Sequence, residues 1–235
     1  MNKSDYRLSI RFASDGFSLL IQDQSGSAIA QMTVTEALFQ RTKDEIIHLV
    51  ETKTGIVPAD YGELQVVVET DAHVFVPSTI FKIQDIDDYF YFQHEKDKDQ
   101  LVLFNRVENW DAVNIFSIPA QLNDALNELF PDAVVKQHLT EMLSAKVSRQ
   151  EDAVYVYIRP KMIDLIVVKS KTLLLINSFA INAPEDMAFY VLSIYDQLKL
   201  DTETIGVKIY GRINSLSNYK LQIANYLKNV DLVIC

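Results

Sequence analysis

Alternation of apolar and polar positions is the clearest feature at the start of the chain. It runs through 8–12 and returns at 17–21, after Asp15-Gly16, a dipeptide typical of tight hairpin turns. A third alternating stretch covers 28–34, and helical spacing of apolar residues follows over 36–54 up to a glycine. The pattern predicts three short strands and then a helix.

The same succession returns in the second half of the chain. Val154, Val156 and Ile158 are apolar, which places Tyr155 and Tyr157 on the opposite, polar-phase face of that strand. A turn at 159–160, two further strands up to 181 and a helix from about 184 complete the second copy. We therefore predict a duplicated unit of three strands and a helix.

The remaining segments alternate between strand-like and helix-like patterns. Strands are predicted at 64–69, 73–76, 101–107, 112–118, 133–137, 206–210 and 230–234, and helices at 84–94, 120–130 and 216–227. The connection at 138–152 is polar, and a fresh strand pattern follows it. We place the boundary there, which gives an N-terminal lobe at 1–137 and a C-terminal lobe at 138–235.

Composition narrows the classes of partner. The net charge of −10 opposes the electrostatic term that drives binding to nucleic acid or to anionic membranes. No apolar run approaches the roughly 20 residues of a membrane span, and the N-terminus leads directly into strand alternation. We expect a cytoplasmic protein. Its only cysteine, Cys235, excludes an intrachain disulfide and any cysteine cluster.

Several short strings accompany the duplication. They are Leu8–Asp23, Val74-Phe75-Val76-Pro77 followed by Ile80-Phe81, and Val113–Pro119 leading into Leu122–Phe130. With them, nearly the whole chain resembles the actin-like ATPase fold, an α/β fold of two ribonuclease-H-like lobes with mixed sheets. More specifically, it resembles a family of uncharacterised bacterial proteins that share this fold.

The resemblance brings an expectation that this chain departs from. In active members the first hairpin of each lobe resembles Asp-x-Gly, whose aspartate organises metal-bound water while backbone N–H groups hold phosphate. Here Arg11 and Ala13 occupy those positions, and the second hairpin carries Pro160, which has no N–H to donate. Asn182, before the second-lobe helix, fits a helix cap better than a nucleotide contact. The chain also has no glycine across 63–205, so we assign no catalytic residue, no cofactor and no cofactor-binding residue.

Other chemistry finds little support. Asp85, Asp87, Asp88 and His94 lie close together, but no second set of ligands is spaced to complete a site, so we assign no metal. No Gly-x-Ser-x-Gly motif is present, and the one cysteine is terminal, so nucleophilic catalysis has no candidate residue.

The run Tyr89, Phe90, Tyr91 and Phe92 is the candidate partner site. Four consecutive aromatic residues on a helix cannot all face one core, so they either pack within the chain or present a surface to a partner. Our hypothesis is a non-catalytic protein-binding or scaffolding module with an unidentified protein partner. The alternative is a divergent nucleotide-dependent switch or kinase-like enzyme with a ligand in the cleft between its lobes.

Overall fold

The computed structural model describes residues 3–211 and 216–234, so Cys235 lies outside the described residues. The chain divides into two compact units, Met1–Ala145 and Lys146–Cys235. The helix that follows residue 137 belongs to the first of these units.

The described part of the first unit contains eight strands and four α-helices. The strands are β1 (Arg7–Ala13), β2 (Gly16–Gln22), β3 (Ala28–Val34), β4 (Glu63–Val68), β5 (His73–Pro77), β6 (Gln100–Val107), β7 (Ala112–Pro119) and β8 (Val135–Gln137). The helices are α1 (Lys43–Thr54), α2 (Ile86–Tyr91), α3 (Ala120–Leu129) and α4 (His138–Ala145).

The second unit is smaller. Its strands are β9 (Ala153–Arg159), β10 (Met162–Lys169), β11 (Thr172–Ala180), β12 (Gly206–Gly211) and β13 (Val230–Ile234). Its helices are α5 (Pro184–Gln197) and α6 (Leu216–Ile223).

The two units share one sheet topology. The strand orders are β3-β2-β1-β4-β8 and β11-β10-β9-β12-β13, each with an antiparallel three-stranded half and a parallel half. The registers also agree, because Ala13 lies opposite Gly16 and Arg159 lies opposite Met162 across turns of equal length. The predicted duplication is confirmed at the level of topology and register.

Helices cover an apolar face of each sheet. In the first unit α1 and α3 pack with the sheet around Leu8, Ile10 and Phe12, the alternating residues of β1. In the second unit α5 and α6 pack around Val154 and Val156 of β9. The period-two pattern of each first strand therefore selects the face that enters the core.

An additional layer distinguishes the first unit. Strands β5, β7 and β6 form a separate antiparallel sheet, inserted between β4 and α3, and α2 packs against it. Strand β7 is buried along almost its whole length because it serves two cores. Val113 and Ile115 pack with Phe90 of α2, whereas Phe116 and Ile118 pack into the main core.

Two helix starts differ from the predictions. Helix α1 begins at Lys43 instead of about residue 36, because Thr42 and Glu45 form a capping box that starts the helix there. The sequence favours Asn182 as the cap of α5, but the cap is Ala183, and Asp186 accepts the backbone N–H groups of residues 182 and 183. Asp186, in the first turn of α5, thus accepts backbone N–H groups at the start of the helix, where no side chain at the cap position does so.

The sequence favours packing over a partner surface for the two tyrosines on the polar-phase face of β9. Tyr155 and Tyr157 are both buried, so β9 is covered on both faces. The Tyr155 ring stacks on that of Tyr210 with centroids 6.3 Å apart, and its hydroxyl oxygen accepts the Ser148 N–H at 3.1 Å. Burial raises the pKa of Tyr155. Tyrosine can occupy a polar position of the alternating pattern and still be buried, because its ring is apolar and its hydroxyl finds a hydrogen-bond partner.

Candidate functional site

The first hairpin carries an ion-paired arginine close to its turn. Arg11 lies on β1, and its guanidinium is 3.3 Å from a carboxylate oxygen of Glu69, just after β4, and 3.1 Å from one of Glu141 on α4. The three side chains are largely buried, with exposed fractions of 16%, 3% and 12%. Two carboxylates thus bind the one guanidinium at this position.

The second hairpin carries a tighter pair. The Arg159 guanidinium donates to both carboxylate oxygens of Asp164, at 2.7 and 2.8 Å, and both side chains are buried. Ser178 on β11 donates its hydroxyl to the same carboxylate at 2.5 Å. The buried carboxylate of Asp164 therefore accepts hydrogen bonds from both Arg159 and Ser178. These charge-assisted hydrogen bonds stabilise its ionised form and fix its position.

The shared register shows which residues correspond. Arg11 lies opposite Ser18, and Tyr157 lies opposite Asp164, at the same distance from their turns. Asp164 therefore takes the place of Ser18, while Arg159 takes the place of Ala13. The two hairpins use different positions to reach the same result, an arginine bound to fixed carboxylates at the end of the hairpin.

The sequence points to Arg11 and Pro160 but not to the three acids that surround the arginines. Glu69 and Glu141 lie far from Arg11 in sequence, and only the parallel pairing of β1 with β4 and the placement of α4 bring them together. Asp164 left a signal, since it interrupts the apolar run of β10. A charged residue within a strand buried on both faces requires a buried partner.

The four aromatic residues of the α2 segment have different environments. Phe90 is buried, stacks on His94 with centroids 4.5 Å apart, and belongs to the core of the inserted layer. Tyr89 and Tyr91 are partly buried, and the Tyr89 hydroxyl donates to the Ile80 carbonyl at 2.7 Å. Phe92 is 87% exposed.

Other apolar side chains near Phe92 in sequence are also exposed. Ile80 and Ile83, which precede α2, are 57% and 61% exposed. We call Ile80, Ile83 and Phe92 the α2 patch. The four-residue pattern does not distinguish Phe92 from Phe90, because packing against β7 decides which side chain is covered.

A small apolar pocket lies elsewhere in the first unit. It has a volume of about 260 Å³, and its walls include Ile10, Ile47, Val50 and Phe130, with Glu51 also lining it. Pockets that hold drug-sized ligands or cofactors generally have volumes of about 300–1,000 Å³. This pocket is below that range, and its lining includes Glu51, Thr54 and Glu128 as well as apolar side chains.

Metal and membrane chemistry find no further support in the described part of the chain. Within 3–211 and 216–234, no three potential ligands among His, Cys, Asp and Glu come together around one point. The helices in these ranges are too short or too polar to cross a bilayer.

A family match covers nearly the whole chain. Residues 1–230 match the family described as "Protein of unknown function (DUF3822)". The chain belongs to this family. No curated protein matches.

Solved structures identify the fold. A Bacteroides thetaiotaomicron protein with actin-like ATPase fold and unknown function is 23% identical, with a TM-score of 0.81 over 98% of this chain and 91% of that one. The PilM-PilN type IV pilus biogenesis complex gives 12% identity and a TM-score of 0.56 over 97% and 88%. The ethanolamine utilization protein EutJ from Carboxydothermus hydrogenoformans gives 11% and 0.53 over 97% and 84%. The predicted actin-like fold is confirmed.

Proposed function

We propose that this chain is a non-catalytic protein-binding or scaffolding module, in which an actin-like fold persists without nucleotide chemistry. The partner is a protein that binds at the α2 patch. Two features support this function, an exposed apolar surface on the inserted layer and hairpin ends that are occupied by internal ion pairs.

The exposure of Phe92 is the observation that carries the proposal. A phenylalanine that is 87% exposed gains little from folding, whereas burying an aromatic side chain at an interface commonly contributes about 2 kcal/mol or more to binding. Ile80 and Ile83 are two further exposed apolar side chains in the segment that leads into α2. Packing of Phe90 in the core of the inserted layer fixes the helix on its sheet, so the surface is presented by a rigid element.

The hairpin ends support the second half of the proposal. Phosphate binding uses unpaired cations and free backbone N–H groups, with a carboxylate that is available to metal-bound water. Arg11 and Arg159 are instead bound to internal carboxylates, and Asp164 is committed to Arg159 and Ser178. Pro160 removes one N–H from the second turn.

The similar structures are compatible with a binding role. One of them is the PilM-PilN type IV pilus biogenesis complex, so this fold occurs in an assembly with another protein. We transfer only that general property to the present chain, because identity of 12% extends to the fold alone.

A matched pair of variants tests the partner surface. Phe92→Ala removes the proposed anchor, and Phe189→Ala removes a phenylalanine that is 66% exposed on α5, outside the inserted layer. Tagged wild type and variants are recovered from the native cell, and co-purifying proteins are quantified by mass spectrometry. We expect Phe92→Ala alone to lose a partner that wild type and Phe189→Ala retain. Equal recovery of all partners by all three proteins would refute the α2 patch as the binding site.

A further inference from the structure

The outer edges of the three described sheets are not equally protected against pairing with another strand. Natural proteins protect edges by short strands, charged residues or proline. Strand β8 has three residues including Lys136, β13 contains Asp231, β6 contains Arg106 and β5 ends in Pro77. Strands β3 and β11 contain neither a charged residue nor proline.

Strand β3 is the more exposed of these two edges. Its sequence, AIAQMTV, has five exposed residues among seven, and Ile29 is 53% exposed. Within the described residues, no strand pairs with its outer side. A β-bulge near Ile29 is its one protective feature, and the pairing beyond the bulge, from Ala30 to Val34, is regular.

The pairing with β2 determines which backbone groups point outward. The Asp23 N–H donates to the Ser27 carbonyl at 3.0 Å, which sets the alternation of bonded and non-bonded pairs along this hairpin. On the β2 side, every second residue from Asp23 faces β3, which includes Leu19 and Phe17. Their partners in the register, Met32 and Val34, therefore exchange hydrogen bonds with β2. The N–H and C=O groups of Gln31 and Thr33 therefore face away from the sheet.

Strand β11 provides an internal comparison. Register places Ser178 of β11 at the position of Thr33, so its N–H also points outward. The Asn177 side chain accepts that N–H at 2.9 Å. The second unit thus satisfies an outward donor within its own edge, and no corresponding side-chain bond is present on β3 among the described residues.

We propose that β3 pairs antiparallel with β3 of a second copy of this chain, which joins two five-stranded sheets around a two-fold axis at Gln31. Each chain carries a net charge of −10, so two copies repel at long range, and the uncharged β3 adds no like charges at the contact itself. About this axis Gln31 faces its own copy, and its amide supplies both the donor and the acceptor that such a pair needs. Ala30 of one copy then lies opposite Met32 of the other, within the regular part of β3.

A proline substitution tests the proposal with little effect on the fold. Gln31→Pro removes an N–H that points away from β2, and proline is tolerated on the outer side of an edge strand. Sedimentation equilibrium of the purified full chain should show wild type rising from monomer to dimer mass across micromolar concentrations. We expect the dissociation constant of Gln31→Pro to be at least about tenfold higher, because one donor is lost in each copy.

Charge variants keep the test decisive if the proline variant does not fold. Gln31→Lys places two cations face to face, whereas Gln24→Lys makes the same change at an exposed turn residue before β3. We expect Gln31→Lys to be monomeric and Gln24→Lys to dimerise like wild type. A wild type that is monomeric throughout, or a dimer that survives both changes at Gln31, would overturn the proposal.

A cross-link identifies the paired residues directly. In a Cys235→Ser background, Gln31→Cys introduces the only thiol of the chain, and an antiparallel bonded pair places two Cα atoms about 5.5 Å apart, within disulfide range. We expect mild oxidation to give a covalent dimer from Gln31→Cys and not from Gln24→Cys. Equal cross-linking of the two variants would place the contact elsewhere.

Discussion

Asp164 and Arg159 are charged residues buried next to each other in the second hairpin. Asp164 lies within the apolar strand β10, and its ionised form is tolerated because Arg159 donates to both of its oxygens. A buried pair of this kind contributes little net stability over an apolar replacement, but removing one partner leaves an uncompensated charge. The folded hairpin therefore requires both partners of the pair or neither.

Asp164→Asn should lower the free energy of unfolding by about 3–5 kcal/mol, since it leaves the buried Arg159 guanidinium without this counter-ion. Urea denaturation followed by circular dichroism measures the loss. Asp196→Asn is the matched control, because Asp196 pairs with Lys199 at the surface and exposed pairs contribute little.

A double variant separates charge from shape at the same site. Arg159→Met combined with Asp164→Leu removes both charges, and we expect its stability to exceed that of Asp164→Asn. If Asp164→Asn and Asp196→Asn lower stability by the same small amount, Asp164 is not ionised in the folded protein and the second hairpin holds no buried ion pair.

Two nearby aromatic positions of the α2 segment should respond in opposite ways. Phe90→Ala should cost about 3–5 kcal/mol of stability because Phe90 fills the core of the inserted layer. Phe92→Ala should leave stability within about 0.5 kcal/mol of wild type, since that side chain is exposed. Thermal or urea unfolding distinguishes them, and a large loss for Phe92→Ala would remove this residue from the proposed surface.

At the scale of elements, strand patterns were predictable and helix ends were not. The hairpins β1–β2 and β9–β10 follow from alternation and turn residues that are local in sequence. The start of α1 depends on a capping box at Thr42 that competes with helical apolar spacing further upstream. The burial of Tyr155 depends on the rings that pack on it, which no local pattern encodes.

Helix α5 offers a prediction that depends on pH. The Tyr195 hydroxyl donates to the Ile205 carbonyl at 2.8 Å, and burial raises the pKa of Tyr195. Tyr195→Phe removes this buried hydrogen bond and should lower the free energy of unfolding by about 1 kcal/mol at neutral pH.

The sign of the pH effect follows from the raised pKa of Tyr195. The stability from a protonated Tyr195 is complete below about pH 10, the ordinary tyrosine pKa, and is lost above it because the unfolded chain ionises first. The difference in unfolding free energy between wild type and Tyr195→Phe, measured by urea denaturation at a series of pH values, should therefore shrink above about pH 10. A difference that grows with pH would mean that the folded protein favours the ionised phenol.

At the scale of the whole molecule, the duplication was visible in the sequence and the inserted layer was not. The sequence predicts β5, β6 and β7 as strands, but their assembly into a third sheet depends on pairings between residues distant in sequence. The acids that bind Arg11 were missed for the same reason. Local patterns thus predicted the fold class, whereas the chemistry of the hairpin ends required long-range contacts.

Our central claim is that this chain retains an actin-like fold whose hairpin ends no longer hold nucleotide. The melting temperature with and without millimolar Mg-ATP tests it most directly, because a ligand at about 100 times its dissociation constant adds roughly 2.7 kcal/mol of stability. We predict no change beyond that given by magnesium alone. A reproducible, magnesium-dependent rise of several degrees on adding ATP would contradict the claim and favour a divergent nucleotide-dependent switch.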